Sequence, residues 1–263
     1  MLGKLLKYEI KSIAKFLAIF YILSLLFGIL TRIFLDVENS LVMNILGQIW
    51  RGAAISMMFS ILINNLMRMW VRFKQNLYGD ESYLTHTLPV KKSALYLAKA
   101  LTAIITLAVS MIVIALTLFI MFYSKENLEL LKGLLLPVAD LYDVNMLAII
   151  LVFLFILFLE IANTLQCGFT GIILGHRENH GKVGYSVLYG FVAYMVTQTV
   201  LVALVFAVAL FNENFMNLFV TNEMMDVQTL KSVVYMSLSA YTLFLIIVYF
   251  VNKKLLEKGV NVD

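Results

Sequence analysis

Six long apolar runs constrain the fold of this chain more than any other feature of its sequence. A bilayer core about 30 Å thick is crossed by about 20 helical residues, and the runs have close to that length. They cover residues 17–35, 53–70, 100–123, 147–167, 187–211 and 233–251. Lipid cannot satisfy exposed backbone polar groups, so each run must be helical, and none shows the alternation of barrel strands. The sequence therefore predicts an all-α membrane protein with six transmembrane helices.

The composition supports the same class of protein. Of the 263 residues, 62% are hydrophobic and 14% are charged, whereas soluble domains are about half apolar and about a quarter charged. Cys167 is the only cysteine, which excludes a disulfide framework. We expect residues 1–263 to form a single transmembrane domain.

The distribution of Lys and Arg predicts the orientation, because these residues are enriched in cytoplasmic segments. Fifteen of the 20 lie in the amino-terminal segment, the second and fourth connections, and the carboxyl-terminal tail. Both termini are therefore predicted to be cytoplasmic.

The amino-terminal segment, residues 1–16, is predicted to be an amphipathic helix that lies in the membrane interface. Lys4, Lys7, Lys11 and Lys15 recur at intervals of three and four residues, so they share one helical face. Apolar residues occupy the opposite face, as in helices that lie on a bilayer with lysines toward anionic headgroups. A simple basic flank that orients the first span is the alternative.

The fourth connection contains the stretch GHRENHGKV, residues 175–183, which has features of a phosphate loop and of a metal site. A phosphate loop needs G-x-x-x-x-G-K-[ST] between a strand and a helix, whereas here five residues separate the glycines and valine follows the lysine. A zincin needs H-E-x-x-H, and beyond these two histidines the sequence offers only His86 and one cysteine as further ligands. We predict no ATP site and no metal site here, but a tight polar turn on the cytoplasmic side.

The second connection, residues 74–92, is predicted to contain a short helix. Asp80 and the glycine before it are suited to cap that helix, with Glu81 in its first turn, where a carboxylate suits the helix dipole. Pro89 is predicted to end it, and Ser93 to cap the helix of the third span. Such a helix between two spans is a docking element, or else part of an ordinary loop with good caps.

This connection resembles the coupling region of type 2 ABC transporter permeases from Gram-positive bacteria, in which an acidic residue precedes a Tyr-Leu-Thr-x-x-Leu-Pro-Val pattern. The matching stretch is residues 78–90, followed by Lys91 and Lys92. The six-span layout, the amphipathic amino terminus and the length agree with that family over the whole chain. The resemblance implies that the short helix binds in a cleft of a separate ATP-binding subunit. The residues it assigns to this contact are Asp80, Glu81, Tyr83, Leu84, Thr85, His86, Leu88 and Pro89.

The same resemblance implies the partners of the chain. Two permeases, identical or similar, would pair with two ATP-binding subunits in a bacterial cell membrane. ATP and Mg would be bound by the partner, and this chain would bind no cofactor. The implied substrates are amphipathic, antimicrobial or toxin peptides. On the second cytoplasmic turn, which the resemblance does not cover, the candidate site residues are His176, Arg177 and Glu178.

Polar side chains inside the spans are costly in lipid and usually face the protein interior. Glu160 is the only acidic residue deep in a predicted span, and we expect it to line a substrate path or form a gating contact, paired with Arg51 or an amide. The other candidates for this path are Asn64, Asn65, Asn163 and Gln198. Polar contacts that only hold helices together are an alternative for the amides. Gly171 and Gly175 form a G-x-x-x-G pattern, which indicates either close helix packing or a helix end.

These features favour transport over catalysis. The sequence contains no nucleotide-binding fold, nucleophile elbow or paired intramembrane carboxylates, so no catalytic residue is predicted. We expect the membrane subunit of an ATP-driven peptide exporter, with an ATP-binding subunit, a second permease copy, lipid and peptide as partners, and no nucleic acid. Two alternatives remain: a peptide-sensing or immunity protein without transport, and an intramembrane enzyme with Glu160 as its candidate base.

Overall fold

The part of the chain that the structure describes is built from eight helices. The computed structural model describes residues 2–37, 40–211, 216 and 227–258, and no strand occurs among them. In chain order the helices are α1 (Leu2–Leu35), α2 (Leu41–Leu77), α3 (Ser82–Thr87), α4 (Lys92–Phe122), α5 (Lys125–Tyr142), α6 (Met146–Gly175), α7 (Lys182–Phe211) and α8 (Val227–Glu257).

Six of these helices are long and apolar enough to cross a membrane, namely α1, α2, α4, α6, α7 and α8. The predicted all-helical class and the six apolar helices are therefore confirmed, as expected for a multi-pass membrane protein. Each helix is longer than the apolar run that predicted it, because helical structure continues into the polar flanking residues. In α1 the basic amino-terminal segment and the first span form one unbroken helix.

Helix α5 has no counterpart among the predicted helices. It has 18 residues and contains Pro137 in its interior. Charged residues recur along it and keep its hydropathy below that of a span, and a proline ordinarily suggests a helix end. Only its amphipathic spacing indicates a helix.

The chain divides into two compact units, of which the first comprises Met1–Asn76 and Tyr83–Leu134. In this unit α1 packs along α4. Helix α2 contributes Ala54 and Met58 to a buried apolar cluster that also contains Met121 of α4. The three long helices of this unit therefore share one core.

The second unit comprises Leu77–Ser82 and Leu135–Asp263. Helix α6 packs against both α7 and α8 in this unit, and α7 also contacts α8. The short segment that precedes α3 thus belongs to the same unit as α6, α7 and α8.

Glycines permit the close approach of α6 and α7. A Cβ atom on Gly171 would lie 2.6 Å from the Cα of Gly190, and one on Gly175 would lie 2.5 Å from the Cα of Ser186. Both distances are far below van der Waals contact, and the opposing atoms are backbone atoms that cannot rotate away. The G-x-x-x-G pattern therefore marks a helix contact, and its second glycine is also the last residue of α6.

The stretch GHRENHGKV forms the turn between α6 and α7, as predicted. The backbone N–H of His176 donates to the carbonyl of Ile172 at 3.2 Å, and that of Glu178 donates to the carbonyl of Gly175 at 3.3 Å. Gly181 has a φ of +64°, a conformation that side chains other than glycine rarely adopt. This glycine reverses the chain just before α7 begins.

The predicted caps around α3 and α4 are wrong. Lys91 is the N-cap residue of α4 and makes no side-chain capping bond, so Ser93 lies inside that helix. Helix α3 begins at Ser82, whose N–H donates to the carbonyl of Gly79 at 2.8 Å, and Glu81 therefore precedes the helix. A backbone turn therefore leads into α3.

We expect Gly171→Ala to destabilise the contact between α6 and α7. Over-packing typically costs about 1–3 kcal/mol, and here the added methyl group meets backbone atoms of α7. Gly184→Ala is the matched control, because nothing lies within 4 Å of a Cβ at that position. Thermal unfolding of the detergent-purified variants measures the difference. Equal unfolding temperatures for the two variants would contradict the close glycine contact.

Candidate functional site

Helix α3 presents a small exposed apolar surface, formed by Tyr83, Leu84 and Leu88. Tyr83 is 66% exposed and Leu84 is 74% exposed, and Leu88, just beyond the helix, is exposed as well. The hydroxyl of Thr87 donates to the carbonyl of Leu84 at 2.9 Å, which closes the last turn of the helix. Large apolar side chains on a polar connecting segment are typical of an interaction site.

The other residues predicted for this contact flank or complete the helix. Asp80 and Glu81 precede α3 and are exposed, Thr85 and His86 lie within it and are partly buried, and Pro89 follows it and is exposed. The predicted residues therefore occupy one continuous segment, but only the central four are helical.

The segment before α3 packs against the turn between α6 and α7. The ring of Tyr78 lies 4.4 Å from the ring of His176, with the ring planes inclined by 31°, and both residues are buried. Burial raises the pKa of Tyr78 well above its ordinary value, while the charge of Arg177 lowers it in part, so the phenol is neutral at physiological pH. The Nδ1 atom of His176 lies 2.9 Å from the carbonyl of Ile172. His176 is therefore a buried packing residue, which the prediction of a simple polar turn did not include.

Two more polar residues of this turn have partners inside the second unit. Arg177 donates to the carbonyl of Leu255 in α8 at 2.6 Å, and Glu178 accepts a hydrogen bond of 2.7 Å from the hydroxyl of Tyr189 in α7. Together with His176 they tie the turn to α7 and α8. All three residues therefore have structural contacts within the chain.

Glu160 is the centre of a polar cluster between α6, α7 and α8. Its Oε1 atom accepts hydrogen bonds from the hydroxyl of Tyr194 at 2.8 Å and from Nε2 of Gln198 at 2.9 Å. Tyr241 also interacts with Glu160 and Gln198. The structure thus brings together two of the predicted path residues and adds two tyrosines. The expected amide pairing is found, whereas Arg51 of the first unit donates to a side chain of its own helix.

Two buried networks hold α6 to its neighbours. The amide of Asn163 donates to the hydroxyl of Thr197 in α7 at 3.0 Å. Thr170 donates to Asn252 in α8 at 2.8 Å, and the amide of Asn252 donates to the backbone carbonyl of Gln166 at 3.2 Å. All five residues are buried. These contacts support a structural role for Asn163.

Asn65 belongs to a similar buried network in the first unit. Its amide donates to the hydroxyl of Ser110 in α4 at 2.8 Å, and the hydroxyl of Tyr21 in α1 lies 2.8 Å from the same oxygen. The adjacent Asn64 donates to a carbonyl one turn earlier in its own helix. The residues predicted for a substrate path are therefore divided between the two units.

An ion network that the sequence analysis missed ties α1 to α2 and α4. The carboxylate of Glu9 lies 2.7 Å from Nε of Arg72 and 3.1 Å from Nζ of Lys99. Lys99 also donates to Oδ1 of Asn76 at 2.7 Å. The side chain of Lys99 is only 4% exposed, so its charge is largely removed from water and depends on these partners.

The sequence contained only a weak signal for this network. Glu9 is the one acidic residue among the lysines of the amino-terminal segment. In the sequence, Arg72 and Lys99 indicate only the orientation of the chain in the membrane. The contacts join residues separated by 63 and 90 positions, which no local pattern reveals.

No family model, curated protein or solved structure matches this chain. Among the residues that the structure describes, no group of three or more His, Cys, Asp or Glu side chains is placed to hold a metal ion. The basis for a function is therefore the contacts within the chain and the resemblance of its second connection to a coupling region.

Glu9→Gln should destabilise the protein, because Lys99 then loses the carboxylate that pairs with it. Removing one partner of a buried ion pair costs about 3–5 kcal/mol, and we expect the lower end of that range because Glu9 is partly exposed. Lys99→Met in the Glu9→Gln background should recover part of the loss. Lys15→Met, at an exposed position of the same helix, is the control. A double-mutant cycle from unfolding measurements gives the coupling, and strictly additive effects of the two substitutions would contradict the pair.

Proposed function

We propose that this chain is the membrane-spanning permease subunit of an ATP-driven ABC exporter, energised by a separate ATP-binding subunit. The observation that carries this proposal is the exposed apolar surface of Tyr83, Leu84 and Leu88 on α3. It lies between two long apolar helices, in a stretch that resembles the coupling region of type 2 ABC permeases.

In this proposal α3 inserts into a cleft of the ATP-binding subunit. Tyr83 and Leu84 supply aromatic and apolar contacts, and the exposed Asp80 and Glu81 supply negative charge beside them. ATP and Mg are bound by the partner, so this chain contributes docking and no hydrolysis.

Motion of α3 would act first on residues 78–81, which join it to α2. Tyr78 in this segment stacks on His176 at the end of α6, and Arg177 next to it bonds to the backbone of α8. A pull on the docked helix therefore has a short path, through two aromatic rings and one hydrogen bond, to helices α6 and α8. This path supports a role of α3 in energy coupling.

The amino-terminal residues 1–16 are proposed to lie on the cytoplasmic side, with both termini in the cytoplasm of a bacterial cell. Lys4, Lys7, Lys11 and Lys15 are exposed. Ile13, on the opposite face of the same helix, is buried. Because α1 is unbroken from Leu2 to Leu35, the segment continues the first span, and its exposed lysine face is suited to contact anionic headgroups.

The cluster around Glu160 is the proposed contact for the transported substrate. The hydrogen-bond partners of Glu160, namely Tyr194 and Gln198, are uncharged. They therefore do not neutralise the negative charge of an ionised carboxylate at this position. Such a site favours cationic or amphipathic peptides, the substrate class implied by the resemblance. We propose that two permeases work as a pair, either as a homodimer or with a similar chain.

The docking role of α3 predicts that Tyr83→Ala with Leu84→Ala will weaken association with the ATP-binding subunit at least about tenfold, because both side chains are large and exposed. Membrane insertion should be unchanged. Co-expression of the permease with the ATP-binding subunit, followed by co-purification and an ATPase assay, measures both properties.

Tyr83→Phe with Leu84→Met is the matched control for that experiment, since it keeps size and apolar character, and it should retain the complex. Full association and ATPase activity of the double alanine variant would contradict docking through α3. A chain that binds peptide but supports no ATP-dependent transport would instead indicate a sensing or immunity protein.

Glu160→Gln should preserve assembly, because glutamine keeps the shape and can still accept hydrogen bonds from Tyr194. It should nevertheless lower peptide-stimulated ATPase activity and transport in proteoliposomes, since the negative charge is removed. Glu126→Gln is the control, because that glutamate is exposed on α5 and lies outside the spans. Unchanged transport by Glu160→Gln would assign Glu160 to helix packing alone.

A further inference from the structure

We infer that α5 lies along the membrane surface, with its leucine face embedded in the lipid interface beside the end of α4. The occupant of this face is the bilayer itself. The inference requires only that the chain is a multi-pass membrane protein and does not depend on the transport function. An experiment can therefore contradict the membrane position of α5 without contradicting the transport function, and the reverse also holds.

The first ten residues of α5, 125–134, belong to the first unit and are clearly amphipathic. At about 100° per residue, the charged side chains fall within about one third of the helix circumference. They are Lys125, Glu126, Glu129 and Lys132. Leucines occupy the opposite side, namely Leu128, Leu130, Leu131 and Leu134.

These four leucines are exposed, and Leu134 reaches 72%. The apolar spacing continues through the rest of the helix, where Leu135, Val138 and Tyr142 recur at intervals of three and four residues. Leu135 and Tyr142 are partly buried, whereas the four leucines of residues 125–134 need a partner outside the described part of the chain.

A well-defined corner holds the start of α5 at the end of a membrane span. Only Tyr123 and Ser124 separate the two helices, so α5 begins within about 10 Å of Phe122. The side chain of Asn127 donates to the carbonyl of Phe122 at 3.0 Å, and its backbone N–H donates to the hydroxyl of Ser124 at 3.0 Å. Arg32 of α1 donates to the carbonyl of Tyr123. These bonds cap both helix ends at the corner.

The bilayer is the apolar phase nearest to this corner. The apolar run of α4 ends where the polar residues Ser124, Lys125 and Glu126 begin, which is the pattern expected at a membrane boundary. The leucines of a helix that starts after a two-residue connection therefore lie close to the lipid interface. Burial of apolar side chains there stabilises the attachment in proportion to the apolar area removed from water. Residues 125–134 carry two lysines and two glutamates, so attachment should rest on apolar area and not on attraction to anionic headgroups.

The test places a fluorescent probe on each face of α5. Leu131→Cys, Leu134→Cys and Glu129→Cys are labelled with bimane, and each full-length variant is reconstituted into phosphatidylcholine nanodiscs that contain lipid spin-labelled near the headgroup. Cys167 is buried, so the unsubstituted protein serves as the labelling blank. Gel filtration selects variants that remain folded.

We expect spin-labelled lipid to quench the probes at positions 131 and 134 at least about twofold more strongly than the probe at position 129, with the reverse order for iodide in water. Replacing a third of the lipid with phosphatidylglycerol should leave this pattern unchanged. Equal iodide quenching on both faces would overturn the inference. Shielding of positions 131 and 134 from both quenchers would also overturn it, since protein and not lipid would then cover the leucines.

Discussion

The constraint on which this structure depends is that lipid offers no hydrogen-bond partners to the backbone. The chain satisfies its backbone groups within long helices, but apolar helices gain little by leaving lipid for one another. Contacts between helices must therefore come from close packing and from polar side chains. Both occur here: glycines let α6 and α7 approach, while Asn65, Asn163 and Asn252 form hydrogen bonds between helices.

The same constraint explains why the fold class was predictable and the helix contacts were not. A membrane span is recognised by its length and hydropathy, so the six long helices can be predicted from the sequence alone. Helix α5 could not be predicted in this way. Its charges recur at helical spacing and lower its hydropathy, and Pro137 suggests a helix end. The cap assigned to Ser93 failed because α4 already begins at Lys92, with Lys91 as the extended residue before it.

The candidate site was predictable only in part, for a similar reason. The sequence identified Glu160 as the carboxyl group deep in a span, since a charge there is costly, but its tyrosine partners come from α7 and α8 and leave no local pattern. The stack of Tyr78 on His176 joins two connections almost 100 positions apart and was not predicted. The exposed side chains of α3 were the easiest to identify, because one continuous stretch of sequence carries them.

The ion network around Glu9 also bears on how the protein is made. Glu9 leaves the ribosome long before its partners, because Arg72 follows 63 residues later and Lys99 follows 90 residues later. At about 5–20 residues per second, Lys99 is added about 5–20 s after Glu9. During that interval the first helix can occupy the bilayer, but it cannot yet adopt its final contacts. Helix α1 is thus synthesised before α2 and α4, yet its ion network is complete only when the helix containing Lys99 arrives.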